Sequence, residues 1–323
     1  MGKQMKMRWR ARQIPELRRD LVRSLTGNNE HLQRLLERAV RGGFLQYGAE
    51  FVEGLKQGEE RLAALRAPMM VWVSSDMAAL ALDAATDCPG IVATDAPART
   101  GLVLVEEPLP ALDVASFGGL YLRSRERTDI HYTDPVVVDG LIWAIHDEQE
   151  LAIMPLCRAH RLPHPLFPTP GELVPLATIR VPLPGILGDL GAQTVDGHPV
   201  DPGQAHGLTA WLSSMWVMSR QPSTTHTKRI DARTGETGLA RIPHDADVTI
   251  INIRPTPHRS HDTTPEGSGR KLRTRHLVRG HWTNQPHGPG RSQRRLQWID
   301  SYVRGPEDAP LIERERVWAW RTH

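Results

Sequence analysis

A succession of short apolar runs, each closed off by Gly, Pro or Asp, does most to limit the folds open to this chain. Met69-Met70-Val71-Trp72-Val73 leads the series, followed by 101–107, 118–123, 140–146 and 173–181, with 248–253 further on. Runs of that length with those boundaries read as strands. After the first, Ser75-Asp76 offers an N-cap for a helix over 77–85. Strands with only one interposed helix predict an α+β fold rather than the regular alternation of a doubly wound sheet.

Helices flank this strand-rich middle. Leu17, Leu21, Leu25, Leu32, Leu35 and Leu36 recur at helical spacing between Arg and Glu, and Phe44, Tyr47, Phe51 and Leu55 continue the pattern. Thr26-Gly27-Asn28-Asn29 predicts a break or a cap, and Gly58 an end for the second helix. This pair is expected to form a helical layer packed on the sheet rather than an oligomerisation hairpin. A further helix is expected over 205–220, where Leu208, Trp211, Leu212, Met215, Trp216 and Met218 cover too much of the surface for an exposed helix. Proline is dense between 158 and 184 and marks loops and edge segments. Residues 221–245 are polar and Thr-rich and read as a linker or insertion.

The expected organisation is therefore an N-terminal helical segment over 1–66, a mixed central region over 67–221 and a C-terminal β region over 222–323. Within the last, 258–270 has the composition of a mobile loop. Three strand-like runs follow it, over 271–282, 294–302 and 311–320, punctuated by Gly288-Pro289-Gly290 and Gly305-Pro306. An antiparallel meander is the simplest arrangement of these runs.

A chain of 323 residues can bury a core without help from disulfides or a structural metal. Its two cysteines, Cys88 and Cys157, form no CxxC pair, which excludes a Cys-based zinc site. The basic opening segment leads into no apolar stretch of the secretory kind, and no run is long enough for a transmembrane helix. A cytosolic setting without membrane contact is expected.

Charge carries the clearest functional signal. Residues 267–299 contain no Asp or Glu but hold Arg270, Lys271, Arg273, Arg275, Arg279, Arg291, Arg294 and Arg295. The whole chain is only +3, so everything outside this +8 window nets −5. The window's side chains suit phosphate, because a guanidinium fork grips oxyanions with two parallel bonds. If 271–282 is one strand, Arg273, Arg275, Arg279 and His281 share a face with Leu277. Those cations repel one another unless water, carboxylates or a bound anion answers them, and Glu313 and Glu315 are available to do so.

Three functions follow from this region. In the first, Arg273, Arg275, Arg279, Arg291, Arg294 and Arg295 contact DNA or RNA phosphates, and Trp282 or Trp298 stacks on a base or is buried. In the second, the chain is a toxin-like or defence-like enzyme acting on RNA or a nucleotide. His281 and His276 then exchange protons while Arg279 and Arg291 steady a developing anion. In the third, the basic face meets an acidic protein partner. No nucleotide-binding, metalloprotease, serine-hydrolase or EF-hand motif is present, and no cofactor is implied. His258, His261 and Asp262, or His244, Asp245 and Asp247, have metal-ligand chemistry but the setting of loop and turn residues.

The stretch VRGHWTNQPHGPGRSQRRLQWIDSYVRGPEDAPL, with MMVWVSSDMAALALDAA and GLVLVEEPLP, resembles a family of accessory proteins from actinobacterial phages, plasmids and integrative elements. The likeness is specific over 278–311 and patchy elsewhere from Met69 onward. It implies a mobile-element accessory role and no particular chemistry.

Overall fold

The computed structural model of the chain describes residues 10–42, 48–115, 120–122, 130–162, 171–186, 193–195, 198–200, 206–221, 225–231, 247–253, 275–278, 280–304, 306 and 311–312. The chain divides into two compact units, Met1–Ile253 and Arg254–His323.

The first unit opens with helices α1 (Ile14–Gly42) and α2 (Gly48–Ala64), then strand β1 (Met69–Val73) and helix α3 (Ser75–Ala85). Strands β2 (Gly90–Ile91), β3 (Thr100–Leu112), β4 (Leu120–Leu122), β5 (Ile130–Tyr132), β6 (Val136–His146) and β7 (Glu150–Arg158) follow. Next come β8 (Leu173–Pro175), β9 (Ile179–Pro182), β10 (Gly185–Ile186), β11 (Gln193–Val195) and β12 (His198–Val200). Helix α4 (His206–Ser219), β13 (Thr225–Asp231) and β14 (Asp247–Ile253) complete it. The order β12-β11-β9-β7-β6-β3-β1-β14-β13, with β8 beside β7, makes a ten-stranded mixed sheet. Strand β1 runs parallel to both β3 and β14, and the other pairings are antiparallel. The expected α+β class is thus observed.

Alternation along the central strands supplies both sides of the sheet with apolar groups. Leu102, Leu104, Ile142, Met154 and Val248 pack against Ile14, Leu17, Leu21 and Leu25 of α1. On the intervening positions, Trp143 meets Trp216 of α4 edge-to-face at 5.7 Å. Gly101 makes room for this ring, since a Cβ there would fall on the Trp143 indole. Helix α4 is buried from Thr209 to Met218, and the Trp211 indole N–H donates to the Ala78 carbonyl of α3 at 3.1 Å. The N-cap of α3 is Ser74, one residue before the expected Ser75-Asp76, and its hydroxyl accepts from the Met77 N–H.

Three local expectations are corrected. Helix α1 runs unbroken through Thr26-Gly27-Asn28-Asn29. Gly27 has nothing within 4 Å of a would-be Cβ, while Leu25 and Leu32 are buried on the inner side. Packing therefore outweighs the weak helix propensity of the exposed positions. Helix α2 likewise continues past Gly58, where the missing side chain lets Asn29 of α1 lie close against it. Residues 225–231, expected in a linker, form the edge strand β13, whose exposed Lys228 and Arg229 are the charges that keep such an edge from pairing with other chains.

Two charged groups anchor the unit. Arg180 on β9 bridges Glu60 of α2 (2.5 Å) and Glu150 of β7 (2.6 Å), and Glu60 also meets the His146 imidazole at 2.9 Å. Buried Asp139 accepts the Arg158 N–H and forms ion pairs with the Arg161 and Arg158 side chains. Burial raises the Asp139 pKa while Arg161 opposes the rise. Burial and the Asp139 charge push the Cys157 thiol up to about 12.

Candidate nucleic-acid interface

The basic window forms part of the second unit. Strand β15 (Arg275–Val278) is flanked by β18 (Tyr302–Arg304), antiparallel, and β19 (Leu311–Ile312), parallel. Strands β16 (His281–His287) and β17 (Gln293–Ile299) make a separate antiparallel hairpin. The expected strand over 271–282 is therefore interrupted near Gly280. At Gly280 itself an added Cβ would lie 2.4 Å from the Trp298 ring, so only glycine fits beside that seated indole. Trp298 is 2% exposed and meets Trp282 across the hairpin at 5.2 Å, edge-to-face. Trp298 thus acts as an anchor, unavailable for stacking on a base.

Directly opposed residues in an antiparallel pair share a face. One face carries Trp282/Trp298, Asn284/Leu296 and Pro286/Arg294; the other carries His281/Ile299, Thr283/Gln297, Gln285/Arg295 and His287/Gln293. Trp298 roots the first face in the unit's interior. The second is polar along its outer length.

The tip is held by its backbone. Gly288 (φ 75°) and Gly290 (φ 62°) take left-handed conformations open to glycine, and Arg291 (φ 56°) takes one that costs a side-chain-bearing residue about 1–2 kcal/mol. The Arg291 N–H donates to the Gly288 carbonyl at 3.0 Å, and the Ser292 hydroxyl donates to the Pro289 carbonyl at 3.0 Å. One Arg294 guanidinium N–H donates to the Arg291 carbonyl at 3.1 Å. Arg291 is exposed in this fixed turn, and Arg294 and Arg295 are exposed at the start of β17 on opposite faces of the hairpin. No acid lies between 267 and 299; the first is Asp300, whose carboxyl pKa burial raises.

Of the predicted site residues, Arg291, Arg294 and Arg295 lie at the tip end of the hairpin, the last two on opposite faces. Arg275 is half-buried on β15, apart from the hairpin. Arg273 and Arg279 lie outside the described residues, as do the side chain of His276 and the loop expected near 258–270. His281 is exposed at the base of the hairpin, six residues along the strand from His287. At about 3.4 Å per residue the turn that carries Arg291 lies roughly 20 Å away along the strand, too far for His281 and Arg291 to act on one phosphate. Among the described residues there is no cluster of three or more His, Cys, Asp or Glu placed to hold a metal. Sequence reasoning missed Thr283, Gln285, Gln293 and Gln297, neutral groups that a search for charge passes over.

The fold and this interface define an α+β protein with a basic hairpin of rigid tip. Residues 217–303, about a quarter of the chain, match the family model AcrVA2-like, described as the anti-CRISPR type V subtype A2 family. The match takes in the end of α4, both β13 and β14, and the entire hairpin. No curated protein matches the chain. No helix among the described residues is long and apolar enough to cross a membrane.

Proposed function

We propose that this chain is an accessory protein of a phage or other mobile element that counters type V CRISPR immunity. The family match over 217–303 carries the reading. It agrees with the mobile-element likeness of the 278–311 stretch, and it implies a protein partner in the CRISPR machinery. The test is plasmid transformation into cells carrying a type V CRISPR effector and a guide against that plasmid. Expression of the chain restores transformation by tenfold or more. Unchanged transformation at verified expression refutes the reading.

The tip arginines favour a second reading, contact with nucleic acid through the hairpin. Arg291, Arg294 and Arg295 are exposed on a segment free of acids, so a polyanion meets no repulsion there. Retention of labelled duplex DNA, single strands and RNA at low salt tests it, and no retention of any of the three ends it.

A further inference from the structure

We infer that the β16–β17 hairpin is a two-stranded ribbon that reads base edges in the major groove of duplex DNA. This rests on the nucleic-acid reading and goes beyond it, from phosphate contact to sequence recognition. The B-DNA major groove is about 12 Å wide and admits a two-stranded β-ribbon. The outer part of the ribbon's polar face is built from Thr283/Gln297, Gln285/Arg295 and His287/Gln293. These are residue types with the required hydrogen-bonding chemistry: Gln pairs with adenine N6 and N7, Arg with guanine O6 and N7, and Thr with several edges. Gln285, Gln293 and Arg295 are exposed.

The other face is committed to the protein only at its base, where Trp298 is buried beside Gly280, and farther out it exposes Asn284, Pro286 and Arg294. The ribbon carries no carboxylate to repel the backbone phosphates. Its tip is set before binding by Gly288, Gly290 and the Arg294-to-Arg291 hydrogen bond, which lowers the ordering cost of a bound hairpin. Arg291 and Arg294 then serve the flanking phosphates, fixing register, while Arg295 and Gln285 face bases. Cross-strand pairs on one face repeat every two residues, about 7 Å, or about two base-pair steps. The three pairs thus cover a site of about five base pairs.

The experiment uses the full chain and a library of randomised DNA duplexes, carried through rounds of selection and followed by anisotropy titrations. A short consensus emerges, bound at least tenfold tighter than a scrambled duplex of equal length. Arg295→Ala weakens consensus binding about 5- to 150-fold and relaxes preference at one guanine, with a far smaller effect on the scrambled duplex. Gln285→Ala does the same at an adenine. Unchanged circular dichroism confirms that both exposed-site variants fold. Duplex binding without a consensus overturns base reading and leaves the phosphate-contact reading standing. Equal or tighter binding to the consensus as duplex RNA overturns groove insertion, because the deep, narrow A-form major groove excludes a ribbon. Failure to bind any nucleic acid overturns both readings.

Discussion

Trp211→Ala removes the largest side chain that joins α4 to α3. The indole is 1% exposed, and its N–H donates to the Ala78 carbonyl at 3.1 Å. Truncating a fully buried Trp costs about 3–5 kcal/mol through lost transfer energy and the cavity left behind. The lost hydrogen bond adds about 1 kcal/mol. For a unit of this size each kcal/mol moves the melting temperature by about 2–4 °C, so a loss of about 4 kcal/mol lowers it by roughly 8–16 °C. Differential scanning calorimetry of the full chain, following the transition of the first unit, measures this directly. Leu82→Ala on α3 is the matched control: Leu82 is 39% exposed, and its loss stays within about 0.5 kcal/mol. A Trp211→Ala protein that melts with the Leu82→Ala protein would refute the account of α4 as a core helix.

The Cys157 thiol gives a pH signature. Its pKa is raised in the folded state to about 12 from 9.0, so its contribution is fully present below pH 9 and is lost as pH rises toward 12. At pH 10 that loss is on the order of 1 kcal/mol. Urea melts at pH 8 and pH 10 should show a steeper decline for wild type than for Cys157→Ala, and equal declines contradict it. Arg180→Ala cuts the bridges from β9 to Glu60 and Glu150. Because the guanidinium is 31% exposed, the cost is limited to about 1 kcal/mol, read as several-fold faster amide exchange in α2; unchanged exchange there counts against the bridge. If the three tip arginines neutralise three phosphates, the log–log salt slope on duplex DNA is about −2.7. Replacing all three with Ala flattens it, and an unchanged slope places the contact elsewhere.

Much of this fold was legible because burial leaves a periodic trace. The Trp/Met stripe of α4 and the apolar run of β1 identified themselves as core. The most buried strand, β7, did not. ELAIMPLCR carries Pro155 mid-run, which argues against a central strand. In the sheet, Pro155 falls between the residues of β7 that pair with β9 (150–153) and those that pair with β8 (156–158). Its missing N–H is therefore needed by neither neighbour, while its carbonyl accepts from the Leu176 N–H. Strand β13 was illegible for the opposite reason: an edge strand with a solvated side has no apolar period to read.

The basic window announced itself through composition, and Arg291, Arg294 and Arg295 are exposed at one end of the hairpin. Its division did not show in the sequence. Strict alternation over 271–282 assumes a continuous strand, and the close seat of the Trp298 ring beside Gly280 is a contact that alternation does not reveal. The neutral Gln and Thr row of β16 and β17 becomes a feature only once the register pairs Gln285 with Arg295.

The proposed action against type V CRISPR immunity calls on the C-terminal region that carries the family match. Transformation of a guide-targeted plasmid tests it most directly, comparing cells that express wild type with cells that express the Arg291→Ala, Arg294→Ala, Arg295→Ala triple variant at equal levels. Wild type is expected to rescue transformation tenfold or more, and the triple variant to lose most of that rescue. Wild-type protein that leaves interference intact contradicts the proposed function, and full rescue by the triple variant contradicts the role given to the hairpin tip.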